Sequence, residues 1–208
     1  MKNKEDYIRD LAEVRSMMER STRFLSLSGL SGVLAGFYAL VGSIIAWRVL
    51  EFDPQAVFDS TTGVLGIPTA LLPTVVLACL VLFFAAGTAT LLSQRKARKN
   101  KERLWNPVTK SMISTLLTPL IAGGLLILIY LSRGMVEIMA PFTLIFYGIA
   151  LYNSGKFTYR EIKSLGLIQL TLGVLAAWQP AYGLLFWALG FGLAHIIYGI
   201  YMHYRYDR

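Results

Sequence analysis

The chain has 208 residues, 55% of them hydrophobic and 15% charged, and a formal charge of +8. So high an apolar share with so few charges points to a membrane protein and away from a soluble domain. The positive balance does not indicate nucleic-acid binding, because the basic residues cluster beside apolar runs, as membrane orientation requires.

Residues 1 to 24 hold six basic and five acidic residues, with Tyr7, Leu11, Val14 and Met18 recurring at helical spacing. This pattern predicts an amphipathic helix, too polar to span, lying along the membrane surface or under the bundle. Docking to a soluble partner or to a second copy by a short coiled coil is the alternative, for which the apolar seam covers fewer than two full heptads. Because this charged stretch precedes the first apolar run, no cleavable signal peptide is expected and the first span should remain as an anchor.

Six apolar segments follow, at about 25–50, 66–92, 112–131, 135–152, 165–178 and 182–204, each near the ~20 residues a bilayer needs, although the fifth is short. The fold expected is all-α: one six-helix transmembrane domain over 25–208 preceded by the amphipathic helix. Span one opens with a small-residue stripe including Gly32 and Gly36, which lets a second helix approach closely, and dimerisation through this face is expected. Arg48 closes the span, where it can snorkel to the headgroups. The loop after it contains Glu51, Asp53 and Asp59, whose spacing fits no calcium loop, so a solvated loop is expected.

Span two carries Pro68 and Pro73 near its start, which predicts an outer end that is bent or begins as a separate turn. Cys79 lies within its apolar run and, as the chain's one cysteine, excludes an internal disulfide. The strongest charge signal follows: Arg95, Lys96, Arg98, Lys99, Lys101 and Arg103, with Glu102 as the single acid among them. This reads as a basic loop retained in the cytoplasm and attracted to anionic lipid headgroups. Span three contains Pro119 followed by Gly123 and Gly124, a kink signal, with Thr115 and Thr118 available to the freed carbonyls.

Span four opens with Glu137, close enough to the boundary for Arg133 or Arg48 to pair with it; a protonatable gate is the sharper alternative. Spans five and six are joined by the tight turn Gln179, Pro180, Ala181 and must be antiparallel neighbours. Counting outward from that turn sets Gly166, Gln169 and Gly173 opposite His195, Gly192 and Ala188. The face containing Ala188, Gly192, His195 and Gly199 is therefore expected to meet the small face of span five, with His195 looking at Gly166 and Gln169.

Eighteen of the twenty basic residues fall on one side of this topology, leaving Arg48 and Arg133 on the other. Both termini are then expected in the cytoplasm. Trp47, Trp178, Tyr182 and Trp187 at one boundary, and Tyr152, Tyr201 and Tyr204 at the other, form aromatic belts.

The N-terminal MMERSTRFLSLSGLSGVLAGFYALVG, and the run from YGIALYNSGKFTYREIKSLGL through YGLLFWALGFGLAHIIYG, resemble a family of small six-helix bacterial inner-membrane proteins. The resemblance covers about half of the chain, at its two ends. It implies the six-span fold and a bacterial inner-membrane location, and it brings no substrate, cofactor or catalytic residue.

No HExxH, GxSxG or glycine-rich phosphate loop is present, and no cofactor or metal is expected. His195 and His203, eight residues apart, stand ~12 Å apart along a helix and cannot share one metal. His195 has two readings: a structural hydrogen bond to Gln169 or to a nearby hydroxyl or carbonyl that locks spans five and six together, which is preferred, or a proton or ligand site in a cavity. The function expected is a non-enzymatic sensor or scaffold engaging lipid headgroups, a second copy of the chain or a soluble cytoplasmic protein. The alternative is a small transporter or channel with Glu137 and His195 in a polar cavity.

Overall fold

The structure, a computed structural model, describes residues 27–51, 71–100 and 105–207. The expected amphipathic helix over 1–24, the loop residues Asp53 and Asp59, Pro68, Lys101 and Arg103 lie outside the described residues.

The described chain is all-helical, with six helices long and apolar enough to cross a membrane. Helix α1 is Gly29–Arg48, α2 is Leu72–Lys99 and α3 is Pro107–Leu131. After a 3-10 turn, Val136–Ile138, come α4, Met139–Ser154, and α5, Glu161–Trp178. The sixth span, Pro180–Tyr206, opens with a second 3-10 turn and then changes helix type twice: α6 is Gly183–Trp187, a π-helical segment covers Ala188–Ala194, and α7 is His195–Tyr206.

Several boundaries move for local reasons. Helix α2 runs on to Lys99, so Arg95, Lys96, Arg98 and Lys99 ride on its last turns and not in a loop. These side chains favour helix and complement the negative end of the helix dipole. Pro73 falls in the first turn of α2, where a missing N–H costs nothing, so it begins the helix instead of bending it. Helix α3 starts at Pro107, and the Asn106 side chain caps it by accepting from the Thr109 N–H at 2.8 Å. Pro119 sits inside α3, and the Thr118 hydroxyl donates to the Ser114 carbonyl at 2.9 Å, one residue short of the carbonyl the proline frees. The turn between spans three and four places Gly134 at φ 74, in the left-handed region where a side chain is disfavoured. Helix α5 begins at Glu161, four residues earlier than expected, and its 18 residues still make it the shortest of the six candidate spans among the described residues.

Packing runs as a chain of neighbours. Helix α2 lies on α1, α1 lies along the sixth span, the sixth span touches α5 and α4, and α3 lies on α4. At one end Leu71, Leu131 and Val136 form a buried cluster that brings the start of α2 against the α3 to α4 turn. Toward the other end Leu151, Ile162 and Leu165 pack with Leu27, Tyr147, Ala194 and Tyr198. Much of the remaining apolar surface faces outward; the most apolar window of α2 has no buried residue. In a bilayer such faces need no protein partner, because lipid tails are as apolar as leucine.

The small-residue stripes meet partners other than those expected. A Cβ on Gly36 would stand 2.5 Å from the Gly192 carbonyl oxygen, one on Gly199 2.4 Å from the Val33 nitrogen, and one on Gly32 3.1 Å from the Gly199 Cα. The small face of span six is therefore filled by span one. On α5, a Cβ at Gly166 would come within 2.7 Å of the Tyr152 nitrogen, and one at Gly173 within 2.6 Å of the Ile145 side chain. The small face of span five thus closes on α4, and Gly166 does not face His195. The expected dimer face at Gly32 and Gly36 is occupied within the chain, because both glycines are already in backbone contact with the sixth span. Ala188 is half-buried at the start of the π-helical segment.

Candidate functional site

His195 is 6% exposed and Gln169 is fully buried, and both converge on one backbone atom. Gln169 Nε2 donates to the Gly190 carbonyl at 2.8 Å, and His195 Nδ1 lies 3.0 Å from the same oxygen. A carbonyl has two lone pairs and no proton, so Nδ1 must carry the hydrogen, and in the neutral ring Nε2 is then the acceptor. The Tyr147 hydroxyl, 3.0 Å from Nε2, supplies the matching donor. The approach of Gln169 Nε2 to Nδ1, at 3.4 Å, is then a contact between two donors and adds no bond. The ring is thereby fixed as one neutral tautomer held from both sides.

Gly190 has this role because the helix is π-helical there. The extra residue in the turn lets the His195 side chain fold back on a carbonyl five positions earlier. A Cβ at Gly190 would stand 2.5 Å from Gln169 Oε1, an atom with no hydrogen-bond partner among the described residues. Glycine at 190 therefore leaves the room that Oε1 occupies. Aromatic rings close the surroundings: Tyr147 and Phe191 both stack on the imidazole, at centroid distances of 5.5 and 5.9 Å, and Trp187 lies 4.9 Å from Phe191.

Glu137 is exposed in the 3-10 turn and makes no ion pair with the described residues. Arg133 is exposed beside the same turn, and Arg48 lies over the Trp47 ring at 4.3 Å. Glu137 precedes Tyr147 by ten residues, about 15 Å of helix, so the structure does not bring it to His195. Two clefts on the described surface, one lined by Ile197, Ile200, Tyr201, Tyr204 and Arg205 and the other by Leu170, Thr171, Val174 and Leu175, touch neither residue.

A second polar cluster lies at the basic end. Asp207 Oδ1 meets Lys96 Nζ at 2.6 Å, and Asp207 Oδ2 accepts from the Gly29 N–H at 2.8 Å and from the Ser28 hydroxyl at 3.3 Å. Lys96 Nζ also donates to the Leu27 carbonyl at 2.7 Å. Helix α1 has no capping side chain of its own, so a carboxylate from the far end of the chain caps it. Burial pushes the Asp207 carboxyl up, but the Lys96 ammonium, the Gly29 N–H and His203 outweigh it and hold the carboxyl below its ordinary value. Next to this clasp, the Tyr206 hydroxyl donates to Glu161 Oε1 at 2.8 Å. The clasp and this bond place the starts of α1 and α5 and the ends of α2 and α7 at one end of the bundle. Lys96 therefore points inward, at 15% exposure, while Arg95, Arg98 and Lys99 remain exposed.

Spacing brought Gln169 and His195 near one level, and the structure joins them through the Gly190 carbonyl and not by a bond to each other. Spacing missed Tyr147, whose one signal is a hydroxyl at mid-span, and Gly190, whose role depends on a π-helical turn. It also missed Asp207, which acts on residues at the opposite end of the chain. Comparisons with protein-family models, curated proteins and solved structures find no match to this chain.

Proposed function

We propose that the chain is a multi-pass protein of the bacterial inner membrane, with both termini cytoplasmic, acting as a non-enzymatic sensor or scaffold. Its basic end engages a soluble protein partner and anionic lipid headgroups. The observation that carries this reading is the Asp207 clasp, which ties the ends of three spans into one platform and leaves Arg95, Arg98 and Lys99 exposed on it. The asymmetry of basic residues supports placing that platform in the cytoplasm. The pairing of His195 with Tyr147 and Gly190 supports a structural role for the imidazole, since its donor and acceptor are both engaged. The transporter reading draws less support, because Glu137 sits about 15 Å of helix away from the His195 network.

A pull-down from solubilised membranes, comparing the full chain with a variant lacking residues 1–24, tests the scaffold. Loss of at least one specific partner on deletion is expected. Retention of every partner counts against a cytoplasmic interaction face that includes the N-terminal segment.

A further inference from the structure

The outward face of α7 changes chemistry with depth. Ile197 and Ile200, 59% and 44% exposed, give way one turn later to Tyr201 and Tyr204 and then to Arg205. These residues recur at steps of three, one, three and one, so they form a single stripe about 12 Å long. They line a shallow, widely open cleft along the helix surface. Arg205 closes its basic end, with its guanidinium over the Tyr201 and Tyr206 rings and an N–H given to the Tyr201 hydroxyl. Glu161 Oε1 lies 3.7 Å from Nη1, and Nη2 and Nε make no hydrogen bond to the described residues. Lys96, in the clasp at the same end of the bundle, is taken by Asp207.

We propose that this stripe is a binding site for one anionic diacyl phospholipid, with an acyl chain along Ile197 and Ile200, the ester region at the two tyrosines and the phosphate on Arg205. The order aliphatic, phenol, guanidinium matches the order of a phospholipid from tail to head, and the free edge of the guanidinium selects negative charge. The site needs only that the chain spans a bilayer, and it stands or falls independently of any soluble partner.

The full chain is reconstituted in nanodiscs of phosphatidylcholine with a minor fraction of phosphatidylglycerol, and retained lipids are counted by native mass spectrometry. The wild type should retain one phosphatidylglycerol in preference to phosphatidylcholine by about five-fold, the factor that about 1 kcal/mol per basic residue implies. Arg205→Gln should bring that preference close to unity, and Ile200→Trp, which fills the cleft, should lower retention of both lipids. Arg133→Gln, exposed in the α3 to α4 turn away from the basic end, should leave the preference unchanged. An unaltered preference in Arg205→Gln, or an equal fall in Arg133→Gln, overturns the site in favour of diffuse attraction. If Arg205→Gln does not assemble, wild-type retention in Ile200→Trp overturns it as well.

Discussion

Gln169 donates to the Gly190 carbonyl from 21 positions earlier in the chain, at 2.8 Å, and so fixes the π-helical turn of the sixth span against α5. Leucine at 169 removes that donor from the buried carbonyl and unties the sixth span from α5 at this point. We expect Gln169→Leu to lower stability in detergent by roughly 0.6 to 2 kcal/mol, read from thermal melting. Gly190→Ala should cost at least as much, about 1 to 3 kcal/mol, because its Cβ would displace Gln169 Oε1. The pair should be strongly non-additive, since both changes break the same contact.

Tyr147→Phe removes the donor to His195 Nε2 and nothing else of size. Nitrogen NMR on labelled histidine should report a neutral ring protonated at Nδ1 in the wild type and a mixed or altered tautomer in the variant. His195→Leu should lower thermal stability while leaving partner capture intact; loss of capture with unchanged stability would favour the functional reading of the imidazole.

The Asp207 clasp predicts an acid-sensitive end. The carboxyl is held below its ordinary value in the fold, so its contribution is complete above the unfolded pKa and disappears as pH falls through the folded one. Stability should therefore be insensitive to this group near neutral pH and decline below about pH 4. Asp207→Asn should remove roughly 1 to 3 kcal/mol at pH 7 and flatten that acid limb. An unchanged acid limb in the variant would assign it to other carboxylates.

Glycine substitutions should separate packing within the chain from packing between copies. Gly36→Ala and Gly199→Ala force a Cβ into facing backbone and should weaken the folded monomer, whereas Gly124→Ala, which meets open space, should be neutral or slightly stabilising. If Gly36→Ala changes the mass of the assembly in detergent without changing its melting temperature, span one serves a dimer after all.

The six spans were legible in the sequence because a bilayer imposes a length and a hydropathy that few other structures need. The nearness of Gln169 to His195 was only partly legible: counting outward from the turn at Pro180 set 169 opposite Gly192 and 195 opposite Gly166, whereas the atom the two side chains share is the Gly190 carbonyl. The partners of the glycine stripes were not legible, since a small face says that a helix comes close and not which one. Gly166 accordingly meets Tyr152, and Gly192 meets span one. Asp207 was beyond any local pattern: its partner Ser28 lies 179 positions away, and a lone acid at a chain end has no periodicity to announce it.

The claim that the basic end is the working face is tested most directly by photo-crosslinking in intact cells, with a crosslinking residue at Arg98 or at Gly134. The account predicts discrete protein adducts from 98, absent from 134 and reduced when Asp207→Asn loosens the platform. Discrete adducts from 134 with none from 98 would contradict it.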